Sequence, residues 1–238
     1  MPSPLPPPLP VARVRTEVEV PLRFADGFST TARVVTFDHL VDGGQHLAFG
    51  LGNRAGAGAA EGVPLVRLHS ECLTGDVFGS ERCDCGPQLR EAVHRIARRG
   101  GFVLYLRQEG RGIGLYPKLD AYALQDRGLD TYQANLALGY GEDERDYTAA
   151  AQMLLALGAP AVRLLTNNPD KAAQLVRHGI DVRDRLPTGV HASASNVRYL
   201  KAKVRRGEHS LALPDLPDSL ALPDPLALPD LPDALRGT

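Results

Sequence analysis

Proline is concentrated at the two ends of this chain, and its distribution confines the folded core to the middle. The first ten residues contain six prolines. Towards the other end the motif LALPD occurs three times, at Leu211–Asp215, Leu220–Asp224 and Leu226–Asp230. Because proline has no backbone donor and a fixed φ, neither a regular helix nor a central strand can run through such segments. We therefore expect residues 1–11 and 206–238 to be disordered and residues 12–205 to form the folded domain.

Length, composition and charge predict a soluble globular protein. The chain has 238 residues, of which 43% are hydrophobic, enough for one sizeable core. It has no run of eighteen apolar residues and no apolar segment of a signal peptide, so we expect neither a membrane partner nor export. A formal net charge of -1 argues against a nucleic-acid partner. The expected compartment is the cytoplasm.

Hydrophobic patterning predicts a mixed α and β fold with a strand-rich N-terminal half. Short apolar or alternating runs separated by glycine-rich breaks indicate strands. These predicted strands are Thr16–Phe24, Thr31–Phe37, Gln45–Leu51 and Pro64–His69.

In the C-terminal half, strands and helices alternate, and this pattern is typical of a partly parallel sheet. The predicted strands are Phe102–Leu106, Val162–Thr166 and Ile180–Arg183. The predicted helices are Gly86–Arg99, Lys118–Arg127, Asp146–Leu157 and a helix from Pro169 to His178. The fold class expected for the single domain is therefore α+β, or mixed α/β.

The three cysteines, Cys72, Cys83 and Cys85, lie within fourteen residues of one another. An odd, clustered set is a poor disulfide framework, and thiolates are ligands that suit zinc. Three protein ligands would leave the fourth tetrahedral position to a water molecule, as in catalytic zinc sites. Such a water would have its pKa lowered towards neutrality. A turn must bring the sulfur atoms of Cys83 and Cys85 to the same side.

Two other interpretations of the cysteines stay open at this point. The thiols could be merely buried, since free cysteine is among the most frequently buried residue types. Alternatively, His69 or His94 could complete a closed structural site with four ligands. The polar sequence ERCDCG at residues 81–86 favours metal binding, because a packed cysteine usually has apolar neighbours.

Motifs in a fixed order carry a resemblance to a known family. They are RLHSECLTGD at 67–76, RCDCG at 82–86, RQEGR at 107–111 with IGL at 113–115, AYALQD at 121–126, DERD at 143–146 and LLTNNP at 164–169. Together they cover residues 64–187, and over this span the chain resembles GTP cyclohydrolase II. Residues 116–120, YPKLD, depart from the family pattern, as do Tyr132 and Gln133 and the stretch 188–196. The N-terminal strands match it poorly.

The resemblance implies an activity, cofactors and an assembly. The family hydrolyses GTP, releasing formate from C8 of guanine and pyrophosphate, as the first step of riboflavin biosynthesis. It uses zinc, requires magnesium for the triphosphate and is typically a homodimer. In some organisms a synthase domain is fused in front, and the N-terminal region here is too short for one.

The resemblance also implies roles for particular residues. Cys72, Cys83 and Cys85 would bind zinc, Tyr122 would lie near the zinc-bound water, and Asp143 and Arg145 would act at the α-phosphate. Arginine stays protonated in proteins, so charge stabilisation is an easier role for Arg145 than nucleophilic attack. The residues implied in GTP binding are Arg67, Leu68, His69, Ser70, Glu71, Gln88, Glu109, Gly110, Arg111, Thr131, Thr166 and Lys171.

Some of these residues also have simpler interpretations. Tyr122 could be a core side chain of an amphipathic helix, and Asp143 could belong to a solvated, charged helix start. Lys171 falls in the first turn of a helix, where a cation is unfavourable, and this hints at a phosphate-binding role. The carboxylate of Glu109 suits the N1–H and amino donors of guanine.

Three functions remain open on the sequence alone. The first is the complete GTP cyclohydrolase II reaction. The second is a variant cyclohydrolase that opens the imidazole ring and retains the formyl group. The third is a regulator that binds zinc and nucleotide without turnover, and the joint presence of Tyr122, Asp143 and Arg145 argues against it.

Overall fold

The computed structural model describes residues 10–53, 62–141, 143–191 and Asn196. Residues 1–9 of the predicted disordered start and the whole predicted tail 206–238 lie outside the described residues. The described residues group into two compact units. Unit 1 takes its residues from 10–69, 92–107 and 147–187, and unit 2 from 70–91, 108–146 and 188–196.

The chain alternates between strands and helices after an initial run of strands. The strands are β1 Arg13–Arg23, β2 Ser29–Asp38, β3 Leu47–Leu51, β4 Leu65–Ser70, β5 Gly101–Leu106, β6 Ala161–Leu165 and β7 Asp181–Leu186. The helices are α1 Leu73–Asp76, α2 Cys85–Arg99, α3 Leu115–Gln125, α4 Thr131–Ala137, α5 Thr148–Ala156 and α6 Pro169–Arg177. A 3-10 turn, Glu109–Gly112, precedes α3. No helix among the described residues is long and apolar enough to cross a membrane.

The strands of unit 1 form one sheet of seven strands in the order β1-β2-β3-β5-β4-β6-β7. The first three pairings along this order are antiparallel, whereas β4 pairs with β6 and β6 with β7 in parallel. A parallel pair needs a crossover connection, and α6 supplies it between β6 and β7. The predicted mixed α and β class, with strands first and alternation later, is confirmed.

The core of unit 1 lies where the sheet packs against α5. This helix buries Ala149, Ala150, Ala151, Met153 and Leu154, because its sequence is apolar over most of its circumference. Strand β5 is buried along nearly its whole length, as expected of a central strand.

In unit 2, helices α3 and α4 pack through a small apolar cluster that includes Ala121, Leu124 and Ala134. Helix α3 begins at Leu115, three residues before the predicted start, and α4 lies where no helix was predicted. The glycine-rich stretch before α3 contains two residues with left-handed backbone, Gly110 and Arg111, with φ of 62° and 63°. Such a backbone is uncommon for arginine and fixes the direction of its side chain.

Candidate metal centre and active site

The three cysteines converge in unit 2. Cys72 precedes α1, and Cys85 is the first residue of α2, so the chain turns into a helix directly after Cys83. The three sulfur atoms all lie within 4.8 Å of one another, and the Sγ atoms of Cys72 and Cys83 are 3.6 Å apart. None of the cysteines forms a disulfide. The expected turn that directs both neighbouring sulfurs to one point is therefore present.

The geometry of these thiols fits a zinc ion. Zinc–sulfur bonds of about 2.3 Å at tetrahedral angles separate the sulfur atoms by about 3.8 Å. Gly75 in α1 keeps the space beside them open, because a Cβ atom there would lie 2.7 Å from the Sγ of Cys83 and 3.1 Å from that of Cys72. Among the described residues, only the three cysteines belong to this potential metal cluster, and neither His69 nor His94 joins it. The arrangement corresponds to an open site with three ligands.

The electrostatics of the metal-free thiols differ between the three cysteines. Hydrogen bonds from Cys83 and Cys85, followed by the charge of Lys118, lower the pKa of Cys72 despite its burial. The hydrogen bond with Cys72 raises the pKa of Cys83 to about 11, and the bonds with Cys72 and Cys83 raise the pKa of Cys85. The protein alone thus favours one thiolate, whereas a bound metal ion favours all three.

A buried lysine, Lys118 of α3, lies beside the thiols. Its Nζ atom donates to the Sγ of Cys72 at 3.2 Å, to Oγ1 of Thr74 at 3.0 Å and to Oε1 of Glu109 at 2.8 Å. Burial alone would lower the pKa of Lys118, but the hydrogen bond to Glu109 and the charge of Cys72 outweigh burial and raise it. The other oxygen of Glu109 accepts from the backbone nitrogen of Leu73 at 2.7 Å. This ion pair therefore fixes the segment that carries the first cysteine.

Tyr122 lies one helical turn after Lys118 and lines a cavity beside the three thiols. Burial is the largest of the effects that raise its pKa to about 12, so the phenol stays protonated at neutral pH. The guanidinium of Arg82 lies over its ring at 4.9 Å and pairs with the Asp126 carboxylate at 2.6 Å and 2.9 Å. The Tyr122 ring therefore lies between the Arg82 guanidinium and helix α3, which carries the tyrosine.

Asp143 and Arg145 form a close pair in the loop before α5. Both oxygens of the Asp143 carboxylate accept from the Arg145 guanidinium, one of them from Nε at 2.8 Å. Burial acts to raise the pKa of Asp143, but the hydrogen bond and charge of Arg145, with the charge of Arg111, hold it below its usual value. Asp143 is exposed and lies in the loop before α5, which begins at Thr148, so its role at the α-phosphate stays a prediction.

A cavity that opens to solvent adjoins the thiols, and about 650 Å³ of space free of protein atoms lies in it and its mouth. Eleven of the residues singled out in the sequence line it: Ser70, Glu71, Cys72, Cys83, Cys85, Glu109, Gly110, Arg111, Tyr122, Thr131 and Arg145. The lining does not include Gln88, whose amide bonds Asp84, or Asp143, which reaches the cavity through Arg145.

The other five predicted substrate residues belong to unit 1. Arg67, Leu68 and His69 lie at the carboxyl end of β4, Thr166 directly follows β6, and Lys171 is in α6. Arg67 donates to the carbonyl of Leu165 at 3.1 Å, and Nζ of Lys171 donates to the carbonyl of Leu68 at 2.8 Å. Lys171 is thus supported by a buried acceptor within its own unit, and its assignment to a phosphate stays a prediction.

Sequence reasoning missed Lys118, Arg82 and Gly75 as parts of the site. A signal for Lys118 was present, because it lies four residues before Tyr122 and so on the same side of a helix. No comparable local signal marks Arg82 or Gly75, whose positions depend on the folded loop between Cys72 and Cys83.

The fold and the site together define a class: a mixed α/β protein with an open centre of three thiols beside a cavity. The sequence profile of GTP cyclohydrolase II matches residues 13–187. The chain therefore belongs to the GTP cyclohydrolase II family, and the resemblance seen in the motifs is confirmed. The match also includes the N-terminal strands, which the motifs at 64–187 did not reach.

Individual relatives agree with this assignment. A protein named GTP cyclohydrolase-2 from Vibrio cholerae is 49% identical over 203 residues, covering 85% of this chain and all of its own length. Another of that name, from Vibrio parahaemolyticus, is 56% identical over 155 residues, which are 65% of this chain and 78% of its own. The riboflavin biosynthesis protein RibBA of Mycobacteroides abscessus is 50% identical over 190 residues, 79% of this chain and 46% of its own.

Proposed function

We propose that this protein is a zinc-dependent GTP cyclohydrolase II, which converts GTP to a diaminopyrimidine ribosyl phosphate with release of formate and pyrophosphate. This reaction would serve riboflavin biosynthesis, as the names of the relatives indicate for those proteins. The observation that carries the proposal is the open centre of three thiols facing a cavity that Tyr122 and Arg145 also line.

Cys72, Cys83 and Cys85 would hold the zinc ion. When bound, zinc supplies a water of lowered pKa that can attack an electrophilic carbon such as C8 of guanine. The thiols themselves do not attack substrate in this proposal, because all three serve as ligands. Magnesium prefers oxygen ligands, so it would accompany the triphosphate and not enter the thiol centre.

Tyr122 would act through its hydroxyl group. With a pKa raised to about 12, the phenol keeps its proton at neutral pH and can donate a hydrogen bond to an oxygen or nitrogen atom bonded to the reacting carbon. Arg82 would hold the ring in place through its contact at 4.9 Å. Ring opening and the second hydrolysis both need proton transfers, and this donor lines the cavity in which they would occur.

Arg145 would stabilise charge that develops at the α-phosphate. Its guanidinium is held by a bidentate contact with Asp143 and lines the cavity. Arginine stays protonated in proteins, so charge stabilisation is an easier role for Arg145 than nucleophilic attack. Asp143 would orient it, and Asp143 itself need not touch the substrate.

Further residues of the cavity would bind the nucleotide. Arg111, held by its left-handed backbone and lying 4.1 Å over the Tyr132 ring, presents a guanidinium suited to phosphate or base. Ser70, Glu71, Gly110 and Thr131 offer backbone and side-chain groups at the same cavity. Glu109 already accepts from Lys118, Gly110 and Leu73, so one lone pair remains for guanine. Contact of Gln88 with GTP stays a prediction.

We also propose a homodimer and a cytoplasmic location. The homodimer rests on the family alone. Three free cysteines support the location, because a reducing compartment keeps thiols available for a metal.

A formate assay tests the proposal. The purified protein, loaded with zinc and supplied with magnesium and GTP, should release one formate for each GTP consumed. A formylated product without formate would identify the variant cyclohydrolase instead. Binding of GTP without any product would indicate the regulator and overturn the proposal.

Replacement of one ligand tests the role of the metal. Cys83→Ser should abolish both zinc binding and ring opening, because two thiolates do not hold zinc as three do. The control is Ser80→Ala, which lies in the same loop and outside the cavity lining. Unchanged turnover of Cys83→Ser in metal-free buffer would refute the zinc assignment.

A further inference from the structure

Lys118 is a buried cation whose three hydrogen bonds are all accounted for within unit 2. The ammonium group contacts one thiol, one hydroxyl and one carboxylate, those of Cys72, Thr74 and Glu109. Only 9% of its side chain is exposed to solvent. Burying such a charge is costly unless it is paired and hydrogen-bonded, and here every proton has an acceptor.

The contact with Cys72 is the one that a purely structural ion pair would not require. A lysine paired with Glu109 could direct its remaining protons to other acceptors, yet one proton points at a ligand sulfur 3.2 Å away. Hydrogen bonds to ligand atoms tune a metal centre and orient its ligands. A donor to a thiolate also withdraws electron density that the sulfur would otherwise give to the metal.

Glu109 keeps Lys118 in this position. One carboxylate oxygen accepts from Lys118 at 2.8 Å, and the other accepts from the backbone of Leu73, the residue after Cys72. The carboxylate thus ties the lysine and the ligand segment together from the 3-10 turn. Asp76 adds a further bond, from the Cys72 backbone nitrogen to its carboxylate at 3.0 Å.

We propose that Lys118 is a positioning residue of the metal centre: it donates a hydrogen bond to the thiolate of Cys72 and places its positive charge beside the three anionic ligands. This inference rests on the proposed zinc site. A divalent ion with three thiolates carries a net negative charge, so a cation at this distance stabilises the loaded centre. The same hydrogen bond makes Cys72 the weaker electron donor and so leaves the metal more electrophilic.

The test measures metal binding by the full-length protein, not turnover. Metal-free protein is titrated with zinc against a coloured chelator, and separately with cobalt, whose thiolate-to-metal charge-transfer band reports electron donation by sulfur. Lys118→Met should weaken zinc binding by about 10- to 100-fold, the usual effect of losing a partner of a ligand. It should also move the charge-transfer band to lower energy, because a thiolate without its donor holds its electrons less tightly.

The matched control is Glu109→Gln, which removes the carboxylate charge but keeps an amide oxygen that can accept from Lys118 and so hold the ammonium beside Cys72. It should leave the band unmoved and weaken zinc binding far less than Lys118→Met does. Equal weakening in the two variants, with no band shift in either, would show that the ion pair matters only for folding and would overturn the inference.

Lys118→Met leaves the buried Glu109 carboxylate unpaired, which is strongly destabilising, and the variant could fail to fold. A second variant keeps the inference testable in that case. The double variant Lys118→Met/Glu109→Gln leaves no uncompensated charge and should show the same band shift relative to Glu109→Gln alone. An unshifted band in the double variant would also overturn the inference. If the unaltered protein shows no thiolate-to-cobalt band at all, the proposed zinc site fails instead, and the two failures are distinct.

Discussion

At the scale of single residues, Gly75 shows how little space the thiol centre has. The residue is buried in α1, and an added Cβ would approach two sulfur atoms and the Cβ of Cys85, at 2.7–3.2 Å. Such contacts are closer than packed atoms allow, so the sulfurs would have to move. Glycine is therefore needed here for lack of space and not for an unusual backbone.

Gly75→Ala is expected to displace at least one sulfur and weaken zinc binding by about tenfold or more, as for other disturbed surroundings of a metal. Competition with a chelator measures the effect. Gly79→Ala serves as the control, because its Cβ meets open space although its φ is +66°. The control should lose about 1–2 kcal/mol of stability through its left-handed backbone and keep its zinc affinity.

The pair of Asp143 and Arg145 makes a pH-dependent contribution to stability. The pKa of Asp143 is lowered in the folded protein, since the bond and charge of Arg145 outweigh burial. A carboxyl group whose pKa is lower in the folded than in the unfolded protein stabilises the folded state at pH values above the unfolded pKa, which is about 3.9. This stabilisation is lost as the pH falls through the folded pKa. Asp143→Asn should therefore lower the urea midpoint at pH 7, with a difference that shrinks below about pH 4. A difference independent of pH would contradict this account.

At the scale of elements, the sequence contains a local signal for the N-terminal cap of α4, although this helix was not predicted. Asp130 accepts from the backbone of Tyr132 and Gln133 at 2.8 Å, and the Gln133 side chain accepts from the backbone nitrogen of Asp130 at 2.9 Å. This capping box spans four residues and is a local signal. The helix has only seven residues, too few for a clear apolar period.

Asp130→Ala should destabilise the protein by about 1 kcal/mol, the usual effect of losing an N-cap side chain. The change should also raise the KM for GTP, because α4 carries Thr131 at the cavity. Urea denaturation and steady-state kinetics measure the two effects. Asp130→Ser keeps an acceptor at the cap and should restore most of the stability; equal loss in both variants would show that capping is not the cause.

Most other elements were predictable because their signals are local. The strands of the sheet and helices α2, α5 and α6 follow from apolar runs, helical spacing and terminal glycine or proline. The early start of α3 was missed although Leu115 lies four residues before Leu119, and Gly114 at φ 98° sets the boundary. Strand order also lay beyond local patterns, because β5 inserts between β3 and β4 through pairing across the sheet.

At the scale of the whole molecule, metal binding and folding should be linked. A ligand that binds only the folded state at 100 times its Kd stabilises it by about 2.7 kcal/mol. We therefore expect zinc to raise the Tm of the metal-free protein and a chelator to reverse the rise. Cys83→Ser should show neither change, and magnesium alone should not reproduce the effect of zinc, because thiols are poor ligands for it. A Tm insensitive to zinc in the unaltered protein would argue against a site formed only on folding.

The sequence by itself determined the family, the three candidate metal ligands and most elements, because these depend on residue types at short spacings. Only the tertiary structure decided how the thiols are supported. Lys118 lies 46 residues from Cys72, Glu109 lies 36 residues from Leu73, and Arg82 lies 44 residues from Asp126. No periodicity or motif spacing encodes such contacts, since they arise when α3 and the 3-10 turn pack against the loop between the cysteines. The residue types of the candidate site could therefore be predicted from the sequence, whereas the charge and the hydrogen bonds around the thiols depend on the fold.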